Sequence, residues 1–276
     1  MDPETVLSDL REFCAERLWV ELAADCIDLA RPGFVLTPAE PGKEAGHSRF
    51  GGRALLEPGT PWPTCEGFPL SLLAVLDTDA LSPWLGDLLP AGTGLLNFFY
   101  LDSESEQSDD DACDLAMKYH SYDPHVGRVI AARSADAVET PPPTRSSVFA
   151  PVTWSASPGV SFPDAHDSVW ETLDLNPEAH DMDLYDVADQ LAKWPGSSGA
   201  FYARDIAFGW PLLPSGAPLA LPQYEVPIYH HLLQLSGHGP YEWGIEGDGG
   251  WMHWSIPTKA LKAGDFGQAI PAPDIW

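Results

Sequence analysis

Gly94-Leu95-Leu96-Asn97-Phe98-Phe99-Tyr100 and Gly250-Trp251-Met252-His253-Trp254-Ser255-Ile256 are the two stretches on which the fold turns. Each is a glycine followed by an aromatic-rich run, the signature of a strand. Upstream of each lies a second apolar run, Leu72-Leu73-Ala74-Val75-Leu76 and Leu232-Leu233-Gln234-Leu235-Ser236. Further upstream, Gly52-x-x-Leu55-Leu56-x-x-Gly59 recurs as Gly209-x-x-Leu212-Leu213-x-x-Gly216. The three pairs keep one order, at offsets of 157, 160 and 156 residues. Such self-similarity predicts two copies of one strand-rich unit, at about 48–104 and 205–266. A unit of two or three strands needs a packing partner. An α+β chain whose two repeats pack into one globule, with helices outside, is therefore the expected architecture.

Working outward, residues 2–31 read as one helix. Asp2 can cap it, Pro3 suits its first position, and Leu7, Leu10, Cys14, Leu18 and Leu22 form one apolar stripe. Pro32-Gly33 is its expected stop, so residues 1–33 stand as an N-terminal helical segment before a domain at 46–274. A second helix is expected near 181–194, from Leu184, Val187, Ala188, Leu191 and Trp194, closed by Pro195-Gly196. Asp102 to Asp114 holds seven acids and reads as an exposed loop. Thr140-Pro141-Pro142-Pro143-Thr144 reads as a stiff connector and as the place to divide the chain.

Forty-one acidic against fourteen basic residues leave a net charge of −27 among 276 residues. Binding to nucleic acid works by neutralising phosphates with Lys and Arg, so this surface opposes it. An acidic field fits a basic protein instead. No run approaches the length of a membrane span, and Met1-Asp2-Pro3-Glu4 lacks the basic and apolar regions of a secretion signal. Cys14, Cys26, Cys65 and Cys113 are irregularly spaced, without a C-x-x-C pair. These features together point to a cytoplasmic chain with neither a disulfide framework nor a membrane partner.

Ser48-Arg49-Phe50-Gly51-Gly52, Pro61-Trp62-Pro63, Leu72-Leu73-Ala74-Val75-Leu76-Asp77 and the stretch from Gly94 resemble the opening of the YwqG-like family. Phe208-Gly209-Trp210-Pro211, Leu232-Leu233-Gln234-Leu235 and Gly247-Asp248-Gly249-Gly250 resemble its closing half. The resemblance covers roughly residues 46–270. It implies a bacterial domain of unknown function, an α+β fold with a structural duplication, and no established catalytic residues. Ser236-Gly237-His238 departs from the acidic residue that the family tends to carry after the second apolar strand.

Chemical motifs are absent. Gly42-Lys43-Glu44 lacks the hydroxyl of a phosphate loop, and Gly196-Ser197-Ser198-Gly199 misses the spacing of a nucleophile elbow. Neither a cofactor nor a metal is indicated by spacing, and His120 with His125 reads as an exposed turn. His230 and His231 should point to opposite faces of their strand unless a bulge intervenes. His253 occupies the repeat position of Asn97 and shares a face with Trp251 and Ser255. Glu246 and Asp248 lie on the same hairpin as His253, where Asp248-Gly249-Gly250 is first a turn. Trp243, Trp251 and Trp254 offer a further, minor sugar-binding reading.

Three functions follow, in order. The first is a protein-interaction module, such as an immunity-type antagonist of a basic partner. The second is a small-molecule binding protein with a cleft between the repeats, drawing on Arg49, Asn97, Glu246, Asp248, Trp251 and His253. The third is an enzyme using His253 with Glu246 or Asp248.

Overall fold

A computed structural model of the chain describes residues 3–18, 20–105, 107–119, 123–163, 169–170, 186–187, 190–191, 194, 205–213, 229–237, 241, 243 and 250–275. The N-terminal stripe folds as two helices, α1 (Pro3–Arg17) and α2 (Val20–Leu29), rather than one. Leu10, Cys14, Leu18, Leu22 and Cys26 are all buried along it. The chain then enters strand β1 (Arg31–Pro38), so Pro32-Gly33 lies inside a strand and does not simply stop a helix. Of the helix expected at 181–194, Val187, Leu191 and Trp194 are described and buried. The remaining positions of its apolar pattern lie outside the described residues.

The first half continues through β2 (Arg49–Phe50), β3 (Ala54–Leu56), β4 (Thr64–Cys65), β5 (Phe68–Pro69) and β6 (Ser71–Asp77). It goes on with α3 (Thr78–Leu85), β7 (Leu95–Tyr100), α4 (Asp110–Lys118), β8 (Gly127–Ala132) and β9 (Val138–Thr140). After β10 (Val152–Ser161), the second half contributes β11 (Asp205–Phe208), β12 (Tyr229–Ser236), β13 (Gly250–Pro257), α5 (Thr258–Ala263) and β14 (Ile270–Ile275). Ten of these strands form one antiparallel sheet, in the order β14-β13-β12-β11-β1-β10-β2-β6-β7-β8. The sheet curls until its two edges meet, with Pro271 against Gly127 and Arg128 Nη1 donating to the Gly267 carbonyl at 2.9 Å. The architecture is α+β and nearly a barrel.

The sheet falls into two wings about its centre, where β1 and β10 pair and Thr37 lies opposite Ser155. Their hydroxyls are 2.9 Å apart. The ladders of the two wings share a register. Leu72, Val75 and Asp77 lie opposite Phe99, Asn97 and Leu95 in β6–β7. His231, Gln234 and Ser236 lie opposite Ser255, His253 and Trp251 in β12–β13. A bulge interrupts the first ladder between Leu72 and Ala74 and the second between His231 and Leu233. Even the connections repeat: the Ser48 hydroxyl accepts from the Asp77 N–H, and the Asp205 carboxylate accepts from the Ser236 N–H.

Alternation along these strands sends one set of side chains to the concave side. Phe98 and Trp254 meet there edge-to-face, with ring centres 5.5 Å apart. One apolar cluster includes residues from both wings and the N-terminal helices, so the core is shared. Tyr241 ties it together: Trp154 Nε1 donates to its hydroxyl at 2.7 Å, that hydroxyl donates to Asp205, and Phe50 stacks on its ring at 4.1 Å.

Two loop readings need correction, that of the Pro-rich stretch and that of Asp102 to Asp114. Thr140 belongs to β9, and β10 after the prolines runs between β1 and β2, so the Pro-rich stretch does not divide the chain. Asp102 is buried, because Ser105 and Ser147 donate their hydroxyls to it and the Ser105 N–H adds a bond at 3.1 Å. Asp109 caps α4 instead of lying in an open loop. Among the described residues no helix is long and apolar enough to cross a membrane.

Candidate functional site

The convex faces of the two wings differ in chemistry although their registers agree. In the first wing Leu72, Val75, Leu95 and Phe99 pack with Leu55, Leu56, Phe68 and Leu70 in a separate apolar cluster. The polar exceptions are Asp77, which caps α3 and accepts from the His47 N–H at 2.9 Å, and Asn97, whose amide is fully engaged. Its Oδ1 accepts from the Leu55 N–H at 2.8 Å, and its Nδ2 donates to the carbonyls of Leu55 at 2.8 Å and Ile130 at 3.2 Å. Asn97 is thus a clamp for β3, which explains a buried polar residue without any ligand.

The matching face of the second wing carries His231, Gln234 and Ser236 on β12, Trp251, His253 and Ser255 on β13, and Asp274 on β14. All seven are buried. Here the clamp has moved to the neighbouring strand: Gln234 Oε1 accepts from the Leu212 N–H at 2.8 Å. Leu212 stands in the second wing where Leu55 stands in the first, at the 157-residue offset. His253, in the place of Asn97, is relieved of that duty. Its exposure is 0%, and neither ring nitrogen has a hydrogen-bond partner among the described residues.

His231 is its neighbour, with ring centres 5.8 Å apart in an edge-to-face arrangement. The bulge at Leu232 brings His231 to this face; strict alternation would have placed it with Leu233 and Leu235 on the concave side. Its Nδ1 donates to the Phe208 carbonyl at 3.2 Å, which leaves a lone pair on Nε2. That Nε2 is buried and has no partner among the described residues. Phe208 itself has φ +59°, while Gly51, its counterpart in the first wing, has φ +60°. A bulky side chain in the left-handed region costs energy that glycine avoids, and such strain collects at functional sites.

Electrostatics follow from this burial. Desolvation pushes the His231 imidazole down to about 4, against the pull of backbone groups of Phe208 and Leu233. Burial holds His253 well below its ordinary value too, reinforced by His231. Both rings are therefore neutral at physiological pH. On the other face, burial raises the Asp205 carboxyl to about 6 despite the bonds from Tyr241 and Ser236. A buried pair of neutral imidazoles can accept hydrogen bonds, donate one from His253, or ligate a metal ion.

The other residues expected in one cleft are dispersed. Arg49 lies on β2, five strands from β13, and donates to the carbonyls of His47 at 3.1 Å and Arg53 at 2.5 Å. Asn97 serves β3. Glu246 and Asp248 lie outside the described residues. Trp251 and His253 share the convex face as expected, and Trp254 points to the opposite one. Trp243, Trp251 and Trp254 are all buried and offer no aromatic platform for a sugar. His125 is exposed in its turn, paired with Asp123 and stacked on Tyr119. A half-open cleft of about 570 Å³ lies over the paired central strands β1 and β10 and beside α3, with Thr37, Ser155, Glu40, Glu44 and Leu81 among its lining residues, and none of the expected ones lines it.

Sequence reasoning singled out His253, set His230 and His231 on opposite faces unless a bulge intervened, and passed over Gln234. Only the bulge and the displaced clamp reveal the places of His231 and Gln234, and neither leaves a mark in hydrophobic alternation. No curated protein matches the sequence. The family model described as a domain of unknown function (DUF1963) matches residues 48–273, a span holding every residue of this face but Asp274, and the chain belongs to that family.

Proposed function

We propose that the protein is a ligand-binding module whose site is the convex face of its second wing, centred on His253 and His231. The observation that carries this reading is His253, a fully buried imidazole with both nitrogens unpartnered among the described residues. A buried polar group without a hydrogen bond costs roughly 1–3 kcal/mol, and a bound molecule offsets that cost. The two wings are best understood as copies of one unit, in which one copy kept an apolar convex face and the other acquired a polar one. Matching registers, bulges and the Ser48 and Asp205 bonds support that view. Four free cysteines accord with a cytoplasmic setting.

Screening polar metabolites by thermal shift tests the reading. A ligand that stabilises the wild type, and no longer does so in His253→Leu, is the expected result. Retention of the same shift in that variant would contradict it. A second reading, docking to a basic protein, rests on the net charge of −27. It expects salt-sensitive capture of a basic partner that His253→Leu leaves intact.

A further inference from the structure

Which chemical class enters this face is set by the two imidazoles. We infer that His231 and His253 together hold a divalent transition-metal ion, of the zinc, nickel or copper(II) kind, through Nε2 of His231 and one ring nitrogen of His253. The inference rests on the ligand-site reading above and names its occupant.

Three features of the geometry carry it. First, His231 has the arrangement that metal-ligating histidines nearly always show: one ring N–H is fixed on a backbone carbonyl while the other nitrogen is free. Here the Phe208 carbonyl accepts from Nδ1 at 3.2 Å, and Phe208 is held at φ +59°. The ring is thereby locked in one tautomer, with the Nε2 lone pair on a buried atom lacking a partner among the described residues. Second, both nitrogens of His253 are equally buried and unpartnered. Third, the separation fits. An ion about 2.0–2.1 Å from each nitrogen stands roughly 3.2 Å from each ring centre, so two rings sharing one ion have centres up to about 6.4 Å apart. The rings of His231 and His253 are 5.8 Å apart with an interplanar angle of 60°.

Imidazole suits zinc, nickel and copper, whereas magnesium and calcium prefer oxygen ligands. Among the described residues no third histidine, cysteine or carboxylate completes a three-ligand cluster with the pair. The remaining coordination positions are therefore left for water or a second molecule.

Titration of metal-stripped, full-length protein with cobalt(II) tests the assignment, read by visible absorption and by calorimetry with zinc(II). Excess magnesium in the buffer occupies the acidic surface, where hard cations bind without selectivity. Wild type is expected to show one saturable site with cobalt bands typical of nitrogen ligation. His231→Leu and His253→Leu should each lose it, while His125→Ala keeps it. Near-UV circular dichroism establishes that each variant is folded, and His253→Gln repeats the test should a leucine variant fail to fold. Absence of saturable uptake by wild type, or uptake that survives both histidine substitutions, overturns the inference. If cobalt fails while a metabolite still shifts the melting of wild type and not of His253→Leu, only the metal assignment falls. If both fail, the ligand-site reading falls with it.

Discussion

Asn97 and His253 stand at matched positions in ladders of equal register, yet one is saturated with hydrogen bonds and the other makes none among the described residues. Their substitution should therefore have opposite signs. Asn97→Leu strips the Leu55 N–H and carbonyl of their partners in a buried site, at a cost of about 1–3 kcal/mol. His253→Leu removes an unsatisfied buried group of similar bulk, and should raise the stability of the ligand-free protein by about 1–3 kcal/mol. Urea unfolding of the two variants in metal-free buffer measures both. Destabilisation by each would contradict the contrast between a saturated clamp and an unsatisfied imidazole.

At the scale of elements, the decisive strand is β1. It pairs with β10 on one side and β11 on the other, and so joins the two wings. The N-terminal segment is thus part of the domain and not an appendage to it. A chain lacking residues 1–44 should show no cooperative unfolding transition, because each wing would expose an unpaired edge and part of the shared core. An unchanged melting temperature for that truncation would contradict the topology. The reason β1 was illegible is local: Arg31-Pro32-Gly33 carries the residues that punctuate helices and turns. In the fold Gly33 lies where a Cβ would come 3.0 Å from the Gly209 nitrogen, so close strand packing, and not a turn, requires the glycine. The four strands β6, β7, β12 and β13 were legible because apolar runs and leading glycines mark them. Their bulges were not, and the bulge at Leu232 is what turns His231 towards His253. Part of the site was thus readable from repeat position, and the rest depends on a register shift that side-chain pattern does not encode.

On the scale of the whole molecule, two wings of like register enclose one core, and Tyr241 links them by bonding both Trp154 and Asp205. What distinguishes the wings is the chemistry of their convex faces: largely apolar and covered by β3 in the first, polar and buried in the second. The central claim is that the second face holds a buried, neutral imidazole pair whose free nitrogens can bind a ligand. Its pH behaviour has a definite sign. His231 titrates near 4 when folded and near its ordinary 6.5 when unfolded. Its contribution to stability is therefore complete above 6.5 and lost as pH falls through about 4. His253, also lowered, acts in the same direction. Asp205, raised to about 6, opposes them, favouring the fold as pH falls below that value. The most direct measurement is a nitrogen-15 NMR titration of the imidazoles in ligand-free protein. Two neutral rings at pH 6, with the His231 proton on Nδ1 and no protonation of that ring until about pH 4, is the result the account requires. A charged ring at pH 6, or a His231 proton on Nε2, would contradict it.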